Sequence, residues 1–163
     1  MILPPVRDPR MVTVRRGGTL TDADHHLLAL WAADCAEHVL PLFGSDDPRP
    51  RAALAAVRAW TRGELSMWDT RSAGGHAMGA ARDLRGAPRF AAYAAGQAAC
   101  VAHVAEHDLG AAAYAIKAVR AASGVEAGRR ECGWQRDRLP APVRELVLED
   151  QQRRNALCWS VFE

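Results

Sequence analysis

The sequence predicts an all-α fold, a single-domain bundle of about six to seven helices. Three observations predict it. Apolar residues recur at three- and four-residue spacing in segment after segment. The breaks between those segments carry helix-ending chemistry, at Gly63, Gly86-Ala87-Pro88, Ser123-Gly124 and Leu139-Pro140-Ala141-Pro142. No segment sustains the alternation of a half-buried strand between turn signals. At 163 residues, 49% apolar and 25% charged, the chain has the composition of a folded domain and the length for one core rather than two.

Residues 1–20 read as a leader or extension, and residues 21–163 as the helical domain. Pro4, Pro5 and Pro9 cannot join a helix interior, and Gly17-Gly18 marks a break. Met11-Val-Thr-Val14 allows a short strand, and Met11 is also a candidate start for the domain. Thr21 is placed to cap a first helix over 22–42, with Asp24 three residues on and Leu27, Leu28, Trp31, Cys35, Val39 and Leu42 along one face.

A second helix over 50–62 carries Leu54, Val57 and Trp60, and Gly63 stops it. Ser66 caps a third over 66–84, weakened by Gly74-Gly75 at about 1 kcal/mol per glycine relative to alanine. The fourth runs from Pro88 to His107, and the fifth from 109 to 122 with Asp108 as its cap. These two are nearly paved with alanine, which predicts close backbone approach at the bundle's centre. A sixth helix over 125–138 and a seventh over 142–160 complete the count. Asp34-Cys-Ala-Glu-His38 echoes His103-Val-Ala-Glu-His107, so two related three-helix halves are one organisation the sequence allows.

Charge and composition exclude several classes. The net charge of +2 provides no basic field for nucleic acid. No apolar stretch is long enough for a membrane span, and the N-terminus lacks a signal-peptide core, so the expected location is cytoplasmic. Twenty arginines against the single lysine, Lys117, and abundant alanine suggest a GC-rich bacterial coding bias. Cys35, Cys100, Cys132 and Cys158 show no paired spacing and read as buried thiols.

His103-Val-Ala-Glu106-His107 fits the string H-x-x-E-H, which places two zinc ligands one helical turn apart with a glutamate as base. The peptidases that use it need a third ligand and a larger mixed fold, and neither is evident here. A broader metal reading pairs Asp34/His38 with His103/His107, so that two facing helices offer four ligands to one divalent ion. Against it, histidines near helix C-termini are commonly held by the macrodipole alone.

Lys117 among alanines suits a desolvated nucleophile or base, and equally a side chain snorkelling from a helix edge. Five tryptophans on apolar helical faces read as core before they read as an aromatic pocket. Arg129-Arg130 and Arg153-Arg154, beside acidic neighbours, read as solvated salt-bridge faces.

Four stretches carry a family resemblance: Leu20–Phe43, Arg58-Ala-Trp-Thr-Arg-Gly-Glu64, His107–Ala121 and Trp134-Gln-Arg-Asp-Arg-Leu-Pro140. They resemble the bacterial family described as putative immunity proteins of polymorphic toxin systems, over about residues 13–148. The resemblance implies an all-α domain that protects its cell by binding and blocking a cognate protein toxin, with no catalytic residue and no cofactor to carry over. The expected function is therefore a non-enzymatic immunity protein. The alternative is a ligand- or metal-binding bundle in which Asp34, His38, His103, Glu106, His107, Tyr114 and Lys117 line a cleft between helices one, four and five, with His103 and His107 on the metal.

Overall fold

The strongest helix-start signals sit where helices begin in a computed structural model that describes residues 2–163. Seven α-helices follow one another: α1 (Asp22–Val39), α2 (Arg49–Thr61), α3 (Met67–Gly79), α4 (Gly86–Cys100), α5 (His107–Ser123), α6 (Val125–Asp137) and α7 (Ala141–Arg154). The Thr21 hydroxyl accepts the Asp24 N–H at 3.1 Å and the Ser66 hydroxyl accepts the Asp69 N–H at 3.0 Å, so both expected caps form. Gly63, at φ +75°, ends the second helix in the left-handed region.

Four helices end several residues earlier than expected, and α5 begins at His107, which places Asp108 inside the helix rather than at its cap. The first helix stops at Val39, because Pro41 turns the chain into the 3-10 segment Leu40–Phe43. The third ends at Gly79 rather than 84. The fourth ends at Cys100 rather than His107, because residues 101–106 form turns whose carbonyls are used elsewhere. His25 Nε2–H donates to the Val101 carbonyl at 2.6 Å, and Arg154 donates to the Glu106 carbonyl at 3.0 Å. The seventh ends at Arg154 rather than 160. There the chain doubles back, with Trp159 (φ 57°) and Ser160 (φ 52°) in the left-handed region, and returns Val161 and Phe162 to the core.

The expected strand at 11–14 is absent. In its place are 3-10 turns at Pro9–Met11 and Val14–Arg16 and one isolated bridge between Thr13 and Leu20. Ile2, Met11 and Leu20 are buried with the helices, so the leader shares their core. The two halves of the sequence echo also differ: residues 34–38 lie in α1, and 103–107 form the turn into α5.

At the centre, α4 and α5 pack most extensively on each other, with α1 across both, α2 and α3 beside α4, and α6 beside α5. Alanine makes this possible. Ala91, Ala92, Ala95, Ala98 and Ala99 of α4 and Ala111, Ala112, Ala113 and Ala115 of α5 are fully buried. A Cβ placed on Gly74 would sit 2.7 Å from the Gly96 carbonyl, and one on Gly96 would sit 2.8 Å from the Gly74 carbonyl. The two glycines let α3 and α4 touch backbone to backbone.

All four cysteines are free and buried, as expected. Arg154, expected on a solvated face, is 1% exposed and ties four chain segments together. Its guanidinium donates to Asp150 on its own helix, at 3.0 Å from Nε, and to the carbonyls of Ile2 (3.1 Å) and Glu106 (3.0 Å). It lies 3.4 Å from the carboxylate of Asp108. Burial pushes the Asp108 carboxyl well above the usual carboxylate range, and its Oδ2 has no partner among the described residues. That oxygen is where a proton would sit. One guanidinium therefore pairs with Asp150, which Arg153 also reaches, and faces a carboxyl whose ionisation burial disfavours.

Two stability measurements follow. Arg154→Ala removes one of the two arginines on Asp150 and leaves two buried carbonyls without that donor, and it is expected to cost about 3–5 kcal/mol in urea unfolding. Gly74→Ala gains helix propensity but pushes α3 off α4, for an expected net loss of about 1–3 kcal/mol. A stabilised Gly74→Ala protein would refute the backbone contact.

Candidate functional site

The residues singled out in the sequence lie in separate places. Asp34 and His38 lie on the last two turns of α1, facing α6 and α2. His103 lies in the turn after α4, with its ring 5.8 Å from that of Trp68. Glu106 is 1% exposed and accepts Arg7 of the leader, at 2.8 Å from Nε. His107 opens α5, where its Nδ1–H donates to Gln97 Oε1 at 2.7 Å. It begins a helix, whereas its expected place was at a helix C-terminus.

Tyr114 and Lys117 join another group. The Lys117 ammonium lies 3.7 Å from the Trp159 ring centre and 4.7 Å from that of Phe90, and desolvation lowers its pKa. Burial raises the Tyr114 phenol, whose ring packs 5.0 Å from Trp159 and 5.2 Å from Tyr93.

The four-ligand arrangement drawn for Asp34, His38, His103 and His107 does not form. His38 is turned to α6, His107 is turned to Gln97, and His103 lies in a turn, so the two pairs do not face each other across helices. Among the described residues no three His, Cys, Asp or Glu side chains are grouped to hold a metal ion. The buried faces of α1, α4 and α5 carry alanines together with Leu28, Trp31, Leu109 and Ile116.

The most organised exposed constellation is the one around His38. Its Nδ1–H donates to Glu131 Oε2 at 2.8 Å. Glu131, only 4% exposed, also accepts Gln135 Nε2 at 3.0 Å. Gln135 is anchored in turn to the Ala112 carbonyl of α5, at 3.2 Å, and its own carbonyl receives the Trp31 indole N–H at 2.9 Å. The imidazole is thereby fixed from the core outward.

Above it the Trp134 ring stacks at 3.7 Å and 4° from parallel, and the Arg138 guanidinium lies 3.9 Å from the Trp134 ring centre. Arg58 of α2 reaches both Asp34 (3.0 Å) and Glu37 (2.8 Å). The result is a rigid His–Trp–Arg stack beside an acidic pair, around a shallow hollow of about 270 Å³.

The arrangement offers an oriented imidazole, an indole face and a guanidinium side by side. A buried carboxylate does orient an imidazole, as a general base requires. Yet the hollow is lined by Asp34, Glu37, His38, Trp134 and Arg138 and holds no serine, threonine or cysteine. Cys35 nearby on α1 is buried, and desolvation pushes its thiol well up. A larger hollow of about 570 Å³ lies by the loop between α1 and α2, where Asp47 is already paired with Arg49.

Sequence reasoning missed Arg58, Glu131, Trp134 and Arg138 as partners of Asp34 and His38. A signal for three of them was present. Glu131, Trp134 and Arg138 fall on one face of the sixth helix at three- and four-residue spacing. Trp134 was assigned to core packing with the other tryptophans, of which only Trp31 is fully buried. Trp68 is 61% exposed and Trp159 42% exposed.

Among known proteins, the sequence model of the family described as Imm-5 like putative immunity protein matches residues 18–142, about three quarters of the chain. No curated protein and no solved structure matches it. No helix among the described residues is long and apolar enough to cross a membrane. The constellation around His38 draws all its members from the matched span.

The buried histidines make stability depend on pH. Burial first, then the charges of His103, Arg154, Arg71 and Arg7, lowers the His107 pKa to about 4, and burial lowers that of His25 as well. Both stay neutral in the fold while the unfolded chain takes up protons near pH 6.5. Their contribution is intact above pH 6.5 and is lost as pH falls toward 4, about 3 kcal/mol for His107. Asp108, with its raised pKa, acts in the opposite sense over the same window, so the wild-type slope alone does not isolate the histidines. We expect His107→Gln to be less stable than wild type at pH 7.5 and to lose markedly less on going to pH 4. Parallel pH profiles for the two proteins would contradict the assignment.

Proposed function

The chain belongs to the Imm-5 like putative immunity protein family, and on that premise we propose that it is a non-catalytic binding protein that neutralises a cognate toxin by protein–protein contact. The observation that carries the reading is the ordered Arg138–Trp134–His38 stack with its acidic neighbours Asp34 and Glu37. Tryptophan and arginine supply most of the energetic anchors of protein interfaces, and anchors held rigid before binding cost less entropy on association. Here Glu131 and Gln135 hold the imidazole, the imidazole supports the indole, and the indole supports the guanidinium.

The mixed charge of the patch favours a partner of defined charge pattern. Arg58 already occupies part of the acidic pair, so a toxin side chain that engages Asp34 or Glu37 competes with an internal arginine. That competition confers selectivity rather than raw affinity.

The test is protection of cells co-expressing the cognate toxin, together with the affinity of the purified pair. Trp134→Ala is expected to weaken binding by about a hundredfold or more, the scale of a hot-spot loss, while shifting the unfolding midpoint little. Arg138→Ala should show a smaller loss of the same kind. Full protection and unchanged affinity in both variants would remove this patch from the interface. Native mass spectrometry with elemental analysis on untagged protein, purified without chelators, separates the ligand-binding alternative. A stoichiometric metal or retained metabolite would favour that alternative.

A further inference from the structure

A second surface, which shares no lining residue with the hollow at the Trp134 stack and is not used by the reading above, has a different chemistry. The second 3-10 turn of the leader, the start of α1, the end of α2, the start of α3 and the turn after α4 enclose a cleft of about 470 Å³, a volume within the range of small-molecule sites. Its wall holds Arg15, Arg16, His25, Trp60, Met67 and His103, and no carboxylate. Arg15 is neutralised by Asp22 at 2.9 Å. Arg16 is not: its guanidinium reaches only the His103 carbonyl at 3.5 Å.

Beside His103 stands Trp68, 61% exposed, with the Arg71 guanidinium 5.9 Å from its ring centre and no acidic partner for Arg71 among the described residues. Two uncompensated guanidiniums and an exposed indole therefore gather around one imidazole, next to a concave, acid-free wall.

Trp68 and Arg71 lie outside that wall, beside His103 at its rim. We propose that a nucleoside monophosphate binds across this rim of the cleft, its phosphate held by Arg16 and Arg71 and its base stacked on Trp68. Guanidinium groups present paired N–H donors that match phosphate oxygens, and a recessed cationic wall focuses the field on an entering anion. An exposed indole provides the stacking face that any base accepts. Desolvation and the nearby Arg71, Arg16 and Arg7 lower the pKa of His103, so near neutral pH it offers a hydrogen-bonding edge without adding charge. The absence of acidic side chains from the wall disfavours a cation or an amine in the same place. An acidic polypeptide shares the charge preference but does not need the enclosed volume or the stacking face.

The test is titration of the full-length protein with AMP, followed by calorimetry and by quenching of tryptophan fluorescence, with adenosine, inorganic phosphate and hexaglutamate as comparison probes. We expect saturable one-to-one binding of AMP that weakens as salt rises and exceeds that of adenosine and of phosphate alone. Arg16→Ala and Arg71→Ala should each weaken it about tenfold, and Trp68→Ala by a similar factor. All three positions are exposed, so the variants should fold, and Trp134→Ala should leave AMP binding unchanged. No saturable binding at millimolar AMP overturns the proposal, as does binding that the three variants leave unmoved. Phosphate binding as tight as AMP overturns the role of the ring, and tighter hexaglutamate binding reassigns the cleft to an acidic polypeptide.

Discussion

Arg154 is the interaction on which the remaining architecture depends. The leader, the turn into α5 and the last helix have little reason of their own to meet. The leader is short and rich in proline, the turn carries a buried glutamate and a buried aspartate, and α7 makes few contacts with its neighbours. A single guanidinium supplies donors to the carbonyls of Ile2 and Glu106 and to the carboxylate of Asp150. Arg7 completes the arrangement from the other side by pairing with Glu106. A buried ion pair is poor evidence of net stabilisation, because desolvation consumes most of its Coulomb energy. Its value here is positional. Without Arg154 the Ile2 and Glu106 carbonyls would lose their side-chain donor, and Asp150 would keep only Arg153.

The second constraint is the alanine-built centre. Small side chains let α3, α4 and α5 approach closely, and larger residues such as Leu28, Trp31, Leu109 and Ile116 share the core with those contacts. Trp31 and Arg154 are buried, whereas other aromatic and cationic side chains lie nearer the surface and stack on one another: His38 on Trp134 under Arg138, Lys117 over Phe90 and Trp159, and Arg71 near Trp68.

How much of this was legible in the sequence depends on range. Helix identity was local and came through: Thr21 and Ser66 cap as expected, Gly63 terminates, and seven helices appear in order. The errors share a cause in long-range bonds. The fourth helix stops short because α1 and α7 claim the carbonyls of the segment that follows it, and no property of residues 101–107 announces that. The last helix stops because Val161 and Phe162 return to the core, at the expense of left-handed backbone at Trp159 and Ser160. The same limit applies to the site. Asp34 and His38 share the end of α1, but the partner face on α6 was assigned to His103 and His107, of which the first lies in a turn and the second opens α5.

The family match covers residues 18–142, whereas Ile2, Arg7, Asp150 and Arg154 lie outside it. The matched span already contains every member of the Arg138–Trp134–His38 constellation and its supports. It also contains Glu106 and Asp108, two buried acids that it cannot satisfy by itself. The flanking segments answer that need, with Arg7 on Glu106 and Arg154 reaching the Glu106 carbonyl and Asp108. The chain thus divides by role: the matched span builds the proposed recognition surface, and the flanks close the bundle around the turn that leads into α5. That turn precedes the helix on which Gln135 is anchored through the Ala112 carbonyl. A partner seated on Trp134 would therefore draw on the same α5 that the flanks hold in place, and its binding energy would add to the stability of the closed form by mass action.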